Sequence, residues 1–193
     1  MPEPLGQPMS MDQFLAWSAK QDEAHELVDG RPRPLWPRDP VTGMAGGTVA
    51  HHVIQANCLT AIRARRPSGC LVAADVRVAL KDGSSRIPDV TLFCGRAQRG
   101  DLHAPDPALL VEVLSPSTAD YDRGEKLDAY KDTASVRELW LVDSERRRVT
   151  VWRRGDEPQR PWHADEYIGG GEFTSGVLGG EVPFAEIYAG VEL

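Results

Sequence analysis

ALLVEVLSPST, residues 108–118, is the stretch that decides the fold. Its first seven residues form an apolar run with one carboxylate, Glu112, and such a run is typical of a strand buried on both faces of a sheet. The proline that follows ends the strand, and the hydroxyl groups of Ser117 and Thr118 are suited to cap a helix over about residues 119–132. We therefore predict a buried central strand followed by a crossover helix.

The segments around this strand predict a mixed sheet. Alternating apolar residues over 71–80 and 86–93, joined by a Lys-Asp-Gly-Ser turn, predict a β-hairpin that leads into the central strand. Beyond the crossover helix, residues 138–142 and 148–153 have the pattern of two further strands. A helical period over residues 49–65 places a helix before the hairpin. This order predicts an α/β fold with a mixed central sheet flanked by helices (αβββαβ) and a right-handed crossover.

Additional elements are expected at both ends of this core. A short helix and a hairpin turning at Asp29-Gly30 precede it, and a Gly-rich β extension with a last helical turn at residues 184–188 follows it. The chain of 193 residues is long enough for one α/β core. We expect a flexible tail over residues 1–9 and a single domain over residues 10–193.

Charge is distributed unevenly along the chain, whose formal net charge is −7. Residues 61–100 contain 8 basic and 3 acidic residues and sum to +5, whereas residues 1–60 sum to −3 and residues 101–193 to −9. The acidic total excludes the basic surface of a high-affinity, sequence-indifferent DNA-binding protein. The basic middle segment is compatible with a phosphate-bearing partner or with an ordinary mixed-charge surface.

The three cysteines, Cys58, Cys70 and Cys94, are distant from one another in sequence and form no C-x-x-C motif. Each lies among apolar residues, so we expect all three to be reduced and packed in the core. The sequence has no signal-peptide pattern and no long apolar run. We therefore predict a cytoplasmic protein that does not interact with membranes.

Glu112 is the first candidate for chemistry, because an ionised carboxylate in a buried strand must be paired or bound to a metal. Asp89 follows a proline in the preceding strand, where the sheet ladder is interrupted. If the two strands are neighbours, both carboxylates and one backbone carbonyl form a hard-oxygen site for Mg²⁺ or Mn²⁺. The alternatives are a turn or capping acid for Asp89 and a simple ion pair with a basic residue for Glu112.

The crossover helix contributes a cation to the same region. Asp122, Lys126 and Tyr130 are spaced i, i+4, i+8 and share one helix face. Lys126 can reach back toward the metal and orient a water or offset charge on a phosphate. The alternative is an exposed Asp122–Lys126 pair, and Tyr130 is expected to pack and hydrogen-bond rather than to catalyse.

These motifs resemble the Uma-two family of restriction-endonuclease-like proteins, which belongs to the PD-(D/E)XK nuclease superfamily. The resemblance rests on Pro88-Asp89, on the segments EVLSPST (residues 112–118) and ELWLVD (residues 138–143), and on the helix positions of Lys126 and Tyr130. It implies a restriction-endonuclease-like fold and a Mg²⁺-dependent phosphodiesterase core.

The resemblance also implies site residues. Asp89 and Glu112 would be metal ligands, and the carbonyl of Val113 would be a third. The superfamily lysine two residues after the glutamate is Leu114 here, so the resemblance shifts that role to Lys126. Glu26 and His51 match polar positions of the family and are added to the catalytic set.

We therefore expect a metal-dependent nuclease that acts on DNA, in which Lys126 orients the attacking water. The acidic charge implies weak, salt-sensitive and metal-dependent DNA binding. We also expect a homodimer through the region of Trp140, Trp152 and Trp162. Two alternatives stay open: an inert binding or assembly module on the same fold, and a hydrolase of small phosphodiesters.

Overall fold

A six-stranded mixed sheet forms the centre of the computed structural model, which describes residues 7–35, 47–115, 124–155 and 162–193. In sheet order, its strands are β10 (His163–Ile168), β9 (Arg148–Arg153), β8 (Glu138–Asp143), β7 (Pro107–Leu114), β6 (Val90–Cys94) and β3 (Cys70–Ala74). The pair β7–β8 is parallel, and the other four pairs of this sheet are antiparallel. The predicted central strand therefore lies inside the sheet, with a neighbour on each side.

Helices cover both faces of the sheet. They are α2 (Val49–Arg65) and α4 (Phe184–Ile187) on one face and α3 (Glu125–Asp132) on the other, whereas α1 (Met11–Ser18) contacts the strand at residues 25–28. Leu109, Val111 and Val113 of β7 belong to the apolar cluster that contains the buried face of α2, whereas Leu110 and Leu114 belong to the cluster that contains α3. Because side chains alternate along a strand, Glu112 faces α3.

A smaller four-stranded sheet lies beside the central one. Its order is β2 (Arg31–Pro34), β1 (His25–Val28), β5 (Ser85–Arg86) and β4 (Val78–Ala79). The β1–β2 hairpin turns at Asp29 and Gly30, which both have positive φ, as the sequence predicts for this turn. A two-stranded sheet of β11 (Glu172–Ser175) and β12 (Gly180–Pro183) forms the C-terminal extension together with α4.

The prediction that residues 71–80 and 86–93 form one continuous hairpin ladder is wrong. Its two arms leave the central sheet and continue in the smaller one, so that β3 and β6 pair in one sheet and β4 and β5 in the other. The change of sheet occurs at Asp75, whose φ is 50°, and opposite it at Pro88, which has no N–H for the ladder. This junction sets the position of the neighbouring Asp89.

The expectation of three reduced cysteines is also wrong, because Cys70 and Cys94 form a disulfide. The two residues pair directly across β3 and β6, and this register brings their side chains together. Their separation of 24 residues in sequence does not by itself indicate the pairing. Cys58 is buried in the α2-side cluster as expected.

The tryptophans that motivated the homodimer do not form an apolar surface. Trp140 is fully buried in the core. Trp152 and Trp162 are half-buried, and each carries a cation over its ring, Lys131 and Arg154 respectively. These rings stabilise the packing of α3 and β9 within one chain, so this reason for a dimer is removed.

Other sequence predictions agree with the structure or lie outside the described residues. The helix over residues 49–65 is α2, and the last helical turn is α4. Ser10 caps α1 through a capping box with Gln13, and Met9 N–H donates to the Gly30 carbonyl. The proposed caps Ser117 and Thr118 lie outside the described residues, and the described part of the crossover helix begins at Glu125. No helix in the described ranges is long and apolar enough to span a membrane.

Glu138 provides a test of how the C-terminal extension is held. Its buried carboxylate accepts hydrogen bonds from the Trp140 indole and from the backbone N–H groups of Gly176 and Val177. We expect Glu138→Ala to lower the free energy of unfolding by about 3 kcal/mol, because these donors lose their acceptor inside the protein. Urea denaturation measures this loss. The control Glu145→Ala removes an exposed carboxylate, and equal stability of both variants would contradict the assignment.

The disulfide predicts a thiol count. Protein unfolded in guanidinium without reductant should expose one reactive thiol per chain, that of Cys58, and reduced protein should expose three. Titration with a chromogenic disulfide reagent gives both values. Three thiols in the unreduced sample would show that Cys70 and Cys94 are not bonded.

Candidate active site

Asp89 lies where β6 begins, beside Glu112 of the central strand in the register of β6 and β7. Its Oδ2 atom accepts a hydrogen bond of 2.5 Å from the backbone N–H of Val113, and its Oδ1 atom lies 3.3 Å from Nε2 of His51. The Asp89 side chain is 17% exposed. The carboxylate is therefore held from two sides and still reaches the surface.

Glu112 is buried and forms the centre of a second group of contacts. Its Oε2 atom accepts a hydrogen bond of 2.9 Å from the Lys126 ammonium, and its Oε1 atom accepts one of 2.7 Å from the Tyr130 hydroxyl. Lys126 is only 4% exposed, so it does not belong to a solvated surface pair. Tyr130 packs and hydrogen-bonds as expected, and Asp122 lies outside the described residues. One turn of α3 thus separates the two groups that pair with the carboxylate.

Glu26 joins this group from the smaller sheet. Its Oε1 atom lies 3.5 Å from Nζ of Lys126 and accepts a hydrogen bond of 2.8 Å from the N–H of Ile87. Lys126 therefore lies between two buried carboxylates, and Glu26 also anchors the chain two residues before Asp89. The β1–β2 hairpin is the element that brings Glu26 to this position.

The predicted site residues thus form two adjacent groups. Glu112, Lys126 and Glu26 make the buried group, and Asp89 and His51 make the group nearer the surface. Because Glu112 and Val113 are consecutive, the hydrogen bond from Val113 to Asp89 links the two groups through the central strand.

Two arginines near these groups, Arg86, which is buried, and Arg77, which is half-buried, were not predicted. Arg86 is 2% exposed; its guanidinium donates to the Leu27 carbonyl at 2.5 Å and lies 3.6 Å from Glu125. Arg77 donates to the His25 carbonyl and stacks over Phe14, and burial lowers its pKa. Both residues fall in the basic segment that was interpreted as possible surface charge. The sequence signal that could have found them was their position in an apolar hairpin that contains Pro88.

Gln55 and Asp75 were also missed, although both touch the Asp89 region. The Gln55 amide donates to the Asp75 carboxylate and to the Asp89 carbonyl. Burial raises the pKa of the Asp75 carboxyl, and the negative charge of Asp89 adds to this effect. Burial also raises the pKa of the Cys58 thiol far above neutrality, which makes Cys58 a core residue and not a nucleophile. The signal for Gln55 was its spacing of four residues after His51.

The donor set around Asp89 fits a divalent ion. Asp89, Glu112 and the Val113 carbonyl offer the hard oxygen atoms that Mg²⁺ and Mn²⁺ prefer. Within the described ranges, no three His, Cys, Asp or Glu side chains are grouped as a metal site on their own.

The model of the Uma2 (Uma-two) family, described as "Putative restriction endonuclease", matches residues 11–180. The chain belongs to the Uma2 family. It is 29% identical over 153 residues to an uncharacterized protein of Synechocystis sp., a match that covers 77% of this chain and 76% of that protein.

A solved structure supports the fold expected of the Uma2 family. It is the crystal structure of "a putative nuclease belonging to DUF820" from Anabaena variabilis, with a TM-score of 0.68 and 18% sequence identity, covering 94% of this chain and 98% of that chain. This similarity confirms the predicted restriction-endonuclease-like α/β fold.

Lys126 allows a test of the buried group. We expect Lys126→Met to lower the free energy of unfolding by about 4 kcal/mol, because Glu112 would stay buried without its cation. Adding Glu112→Gln should recover part of this loss, since the uncompensated charge is removed. Urea denaturation of the single and double variants gives the coupling energy.

Lys131→Met is the matched control on the same helix. Lys131 is half-buried and lies 3.4 Å above the Trp152 ring instead of beside a carboxylate, so we expect a much smaller loss. Equal losses for both lysines, or strict additivity of Lys126→Met and Glu112→Gln, would contradict a buried ion pair.

Proposed function

We propose that this protein is a metal-dependent nuclease that hydrolyses phosphodiester bonds of DNA. The observation that carries the proposal is the buried ion pair between Glu112, in the strand next to Asp89, and Lys126 of α3. A soluble domain has little reason to place two carboxylates and an ammonium at one end of its central sheet for stability alone. Membership of the Uma2 family supports the same reaction class.

Asp89, Glu112 and the carbonyl of Val113 are the groups that would hold Mg²⁺ or Mn²⁺. Such an ion supplies Lewis-acid chemistry, because it lowers the pKa of water and offsets negative charge on a phosphate. The 17% exposure of Asp89 supports this assignment, since the ligand must be reachable from solvent.

Lys126 is the residue proposed to orient the attacking water. Its ammonium donates to Glu112 at 2.9 Å, and Glu26 lies 3.5 Å away as a second counterion. Glu26 therefore keeps Lys126 in place when Glu112 turns toward another partner. The lysine can then donate to a water or to a phosphate oxygen without leaving the site.

His51 is proposed to assist from the other side of Asp89. Its Nε2 atom lies 3.3 Å from the carboxylate, and its side chain is 11% exposed. At this position the imidazole holds the orientation of Asp89 and lies within reach of a proton released near the carboxylate.

DNA binding is proposed to be weak, sensitive to salt and dependent on the metal. The chain carries a net charge of −7, and Arg77 and Arg86 from its basic segment are directed inward to carbonyl groups. These two arginines are therefore withdrawn from DNA, while Arg63, Arg66, Lys81, Arg96 and Arg99 of the same segment are exposed. The acidic total still makes the phosphate contacts few and sensitive to salt.

The inert binding module is the second candidate, and one observation favours it. The two oxygens of Glu112 accept hydrogen bonds from Lys126 and Tyr130, so the carboxylate is satisfied within the protein.

The homodimer stays a prediction, and light scattering measures the oligomeric state. The cytoplasmic location also stays a prediction. The Cys70–Cys94 disulfide argues against a strongly reducing compartment.

Cleavage assays test the proposal. Supercoiled and single-stranded DNA are incubated with the protein and Mg²⁺ or Mn²⁺, and products are resolved on gels. We expect cleavage by the wild type and a loss of at least about 100-fold for Asp89→Ala and for Lys126→Met, because a ligand or the water-orienting cation is removed. Glu192→Gln, an exposed change near the C-terminus, is the control and should keep wild-type activity.

The other outcomes separate the alternatives. Equal products from wild type and Asp89→Ala would reject the proposed site. Cleavage of bis-(p-nitrophenyl) phosphate without cleavage of DNA would indicate a hydrolase of small phosphodiesters. Absence of Mn²⁺ binding by the intact protein would indicate the inert module.

A further inference from the structure

The chain around Asp89 is held by side chains in addition to one long backbone hydrogen bond from the opposite strand. Pro88 has no N–H, and the N–H of Ile87 donates to Glu26 instead of to a neighbouring strand. The carbonyl of Asp89 accepts one hydrogen bond of 3.0 Å from the Gln55 side chain and a longer one of 3.3 Å from the N–H of Asp75. The position of the Asp89 backbone therefore depends on groups outside its own strand.

Gln55 is the residue that ties these groups together. Its Nε2 atom donates to Oδ1 of Asp75 at 2.8 Å as well as to the Asp89 carbonyl, so both amide hydrogens are used. Its Oε1 atom lies 3.3 Å from Nδ1 of His52. Gln55 is 7% exposed, and rotation of its amide would place an oxygen against two acceptors. The amide orientation is thus fixed by its surroundings.

Helix α2 contacts Asp89 at two points. His51 and Gln55 are four residues apart and share one face of the helix. His51 lies against the Asp89 carboxylate, and Gln55 binds the Asp89 carbonyl. The helix therefore fixes both the backbone and the side chain of this residue.

We propose that Gln55 is a positioning residue, which through the Asp89 carbonyl and the left-handed Asp75 directs the Asp89 carboxylate toward the N–H of Val113. The effect of this positioning on metal binding rests on the proposed function. Aspartate tolerates the left-handed backbone at Asp75, where φ is 50°, and its carboxylate accepts from Gln55 in that conformation. Gln55 thus joins α2 to Asp75 and Asp89, at the point where the chain passes from the central sheet to the smaller sheet.

Asn57 provides a matched control on the same helix. Its amide also donates to two acceptors, the carbonyls of Ile187 at 3.0 Å and Ala189 at 2.9 Å, but these lie in the C-terminal extension. Gln55→Met and Asn57→Leu each remove two hydrogen bonds that an amide N–H donates, with little change in side-chain size, and Gln55→Met also removes the contact with His52. They differ in whether the lost bonds lead to Asp89.

The first readout is the exchange rate of the Val113 amide in metal-free protein, measured by NMR in deuterated buffer. Asp89 accepts this N–H at 2.5 Å, so its protection reports the position of the carboxylate. We expect exchange about tenfold faster in Gln55→Met and unchanged in Asn57→Leu. Equal exchange in wild type and Gln55→Met, or an equal rise in both variants, would overturn the proposal.

If Gln55→Met does not fold, the variant Asp75→Asn tests the positioning role of Gln55. Asparagine also tolerates the left-handed backbone, but it removes the charged acceptor of the Gln55 amide. We expect Val113 exchange about threefold faster than in wild type, because a neutral acceptor holds the amide less firmly. An unchanged rate would overturn the proposal.

The second readout is the affinity for Mn²⁺, followed by electron paramagnetic resonance. We expect at least about tenfold weaker binding in Gln55→Met than in wild type, as for residues that orient metal ligands, and no change in Asn57→Leu. Wild-type affinity in Gln55→Met would overturn the role of Gln55 while leaving the proposed function intact. Wild-type protein without Mn²⁺ binding would overturn the proposed function, and the Val113 exchange rate would then decide the positioning role by itself.

Discussion

The structure depends on one constraint, the burial of the Glu112 carboxylate inside an apolar strand. An isolated charge at this depth is strongly unfavourable, so the fold must supply a cation and further donors. Lys126 and Tyr130 meet this need from a single helix, which fixes how α3 packs against the central sheet. Glu26 of the smaller sheet lies 3.5 Å from the same ammonium, so a second carboxylate shares this cation. One buried charge thus determines the arrangement of a strand, a helix and a hairpin.

The junction between the two sheets gives the second carboxylate its position. Asp75 and Pro88 end the ladder of the central sheet on opposite strands, and the chain then passes into the smaller sheet. Asp89 lies at this junction, where its backbone groups are open to contacts from side chains. Gln55 and Glu26 provide such contacts from two different elements, at residues 89 and 87 respectively. A break in regular structure is therefore what leaves this position partly accessible to solvent.

The sequence predicted the features that depend on local pattern. The apolar run around Glu112 gave the central strand, the period of residues 49–65 gave α2, and Asp29-Gly30 gave the hairpin turn. It failed where a single residue changed the backbone direction, as at Asp75, because alternation continues through the break. It also missed the Cys70–Cys94 disulfide, since that pairing depends on register and not on spacing. Glu26 and Lys126 were named, but their contact across 100 positions is a result of tertiary packing that no local pattern contains.

The cation that pairs with Glu112 comes from helix α3 and not from the strand that carries Glu112. This affects how the buried charge cluster forms. In the related superfamily pattern the lysine follows the glutamate on the same strand, whereas here that position is Leu114, which is buried against α3. A lysine on the strand would accompany the glutamate from the moment the strand forms. Lys126 reaches Glu112 only after the helix has packed, so the assembled charge cluster exists only in the completed tertiary structure. Any partly folded chain in which α3 is detached lacks it, so the pairing of Glu112 with Lys126 requires the docking of α3 in addition to the formation of the sheet.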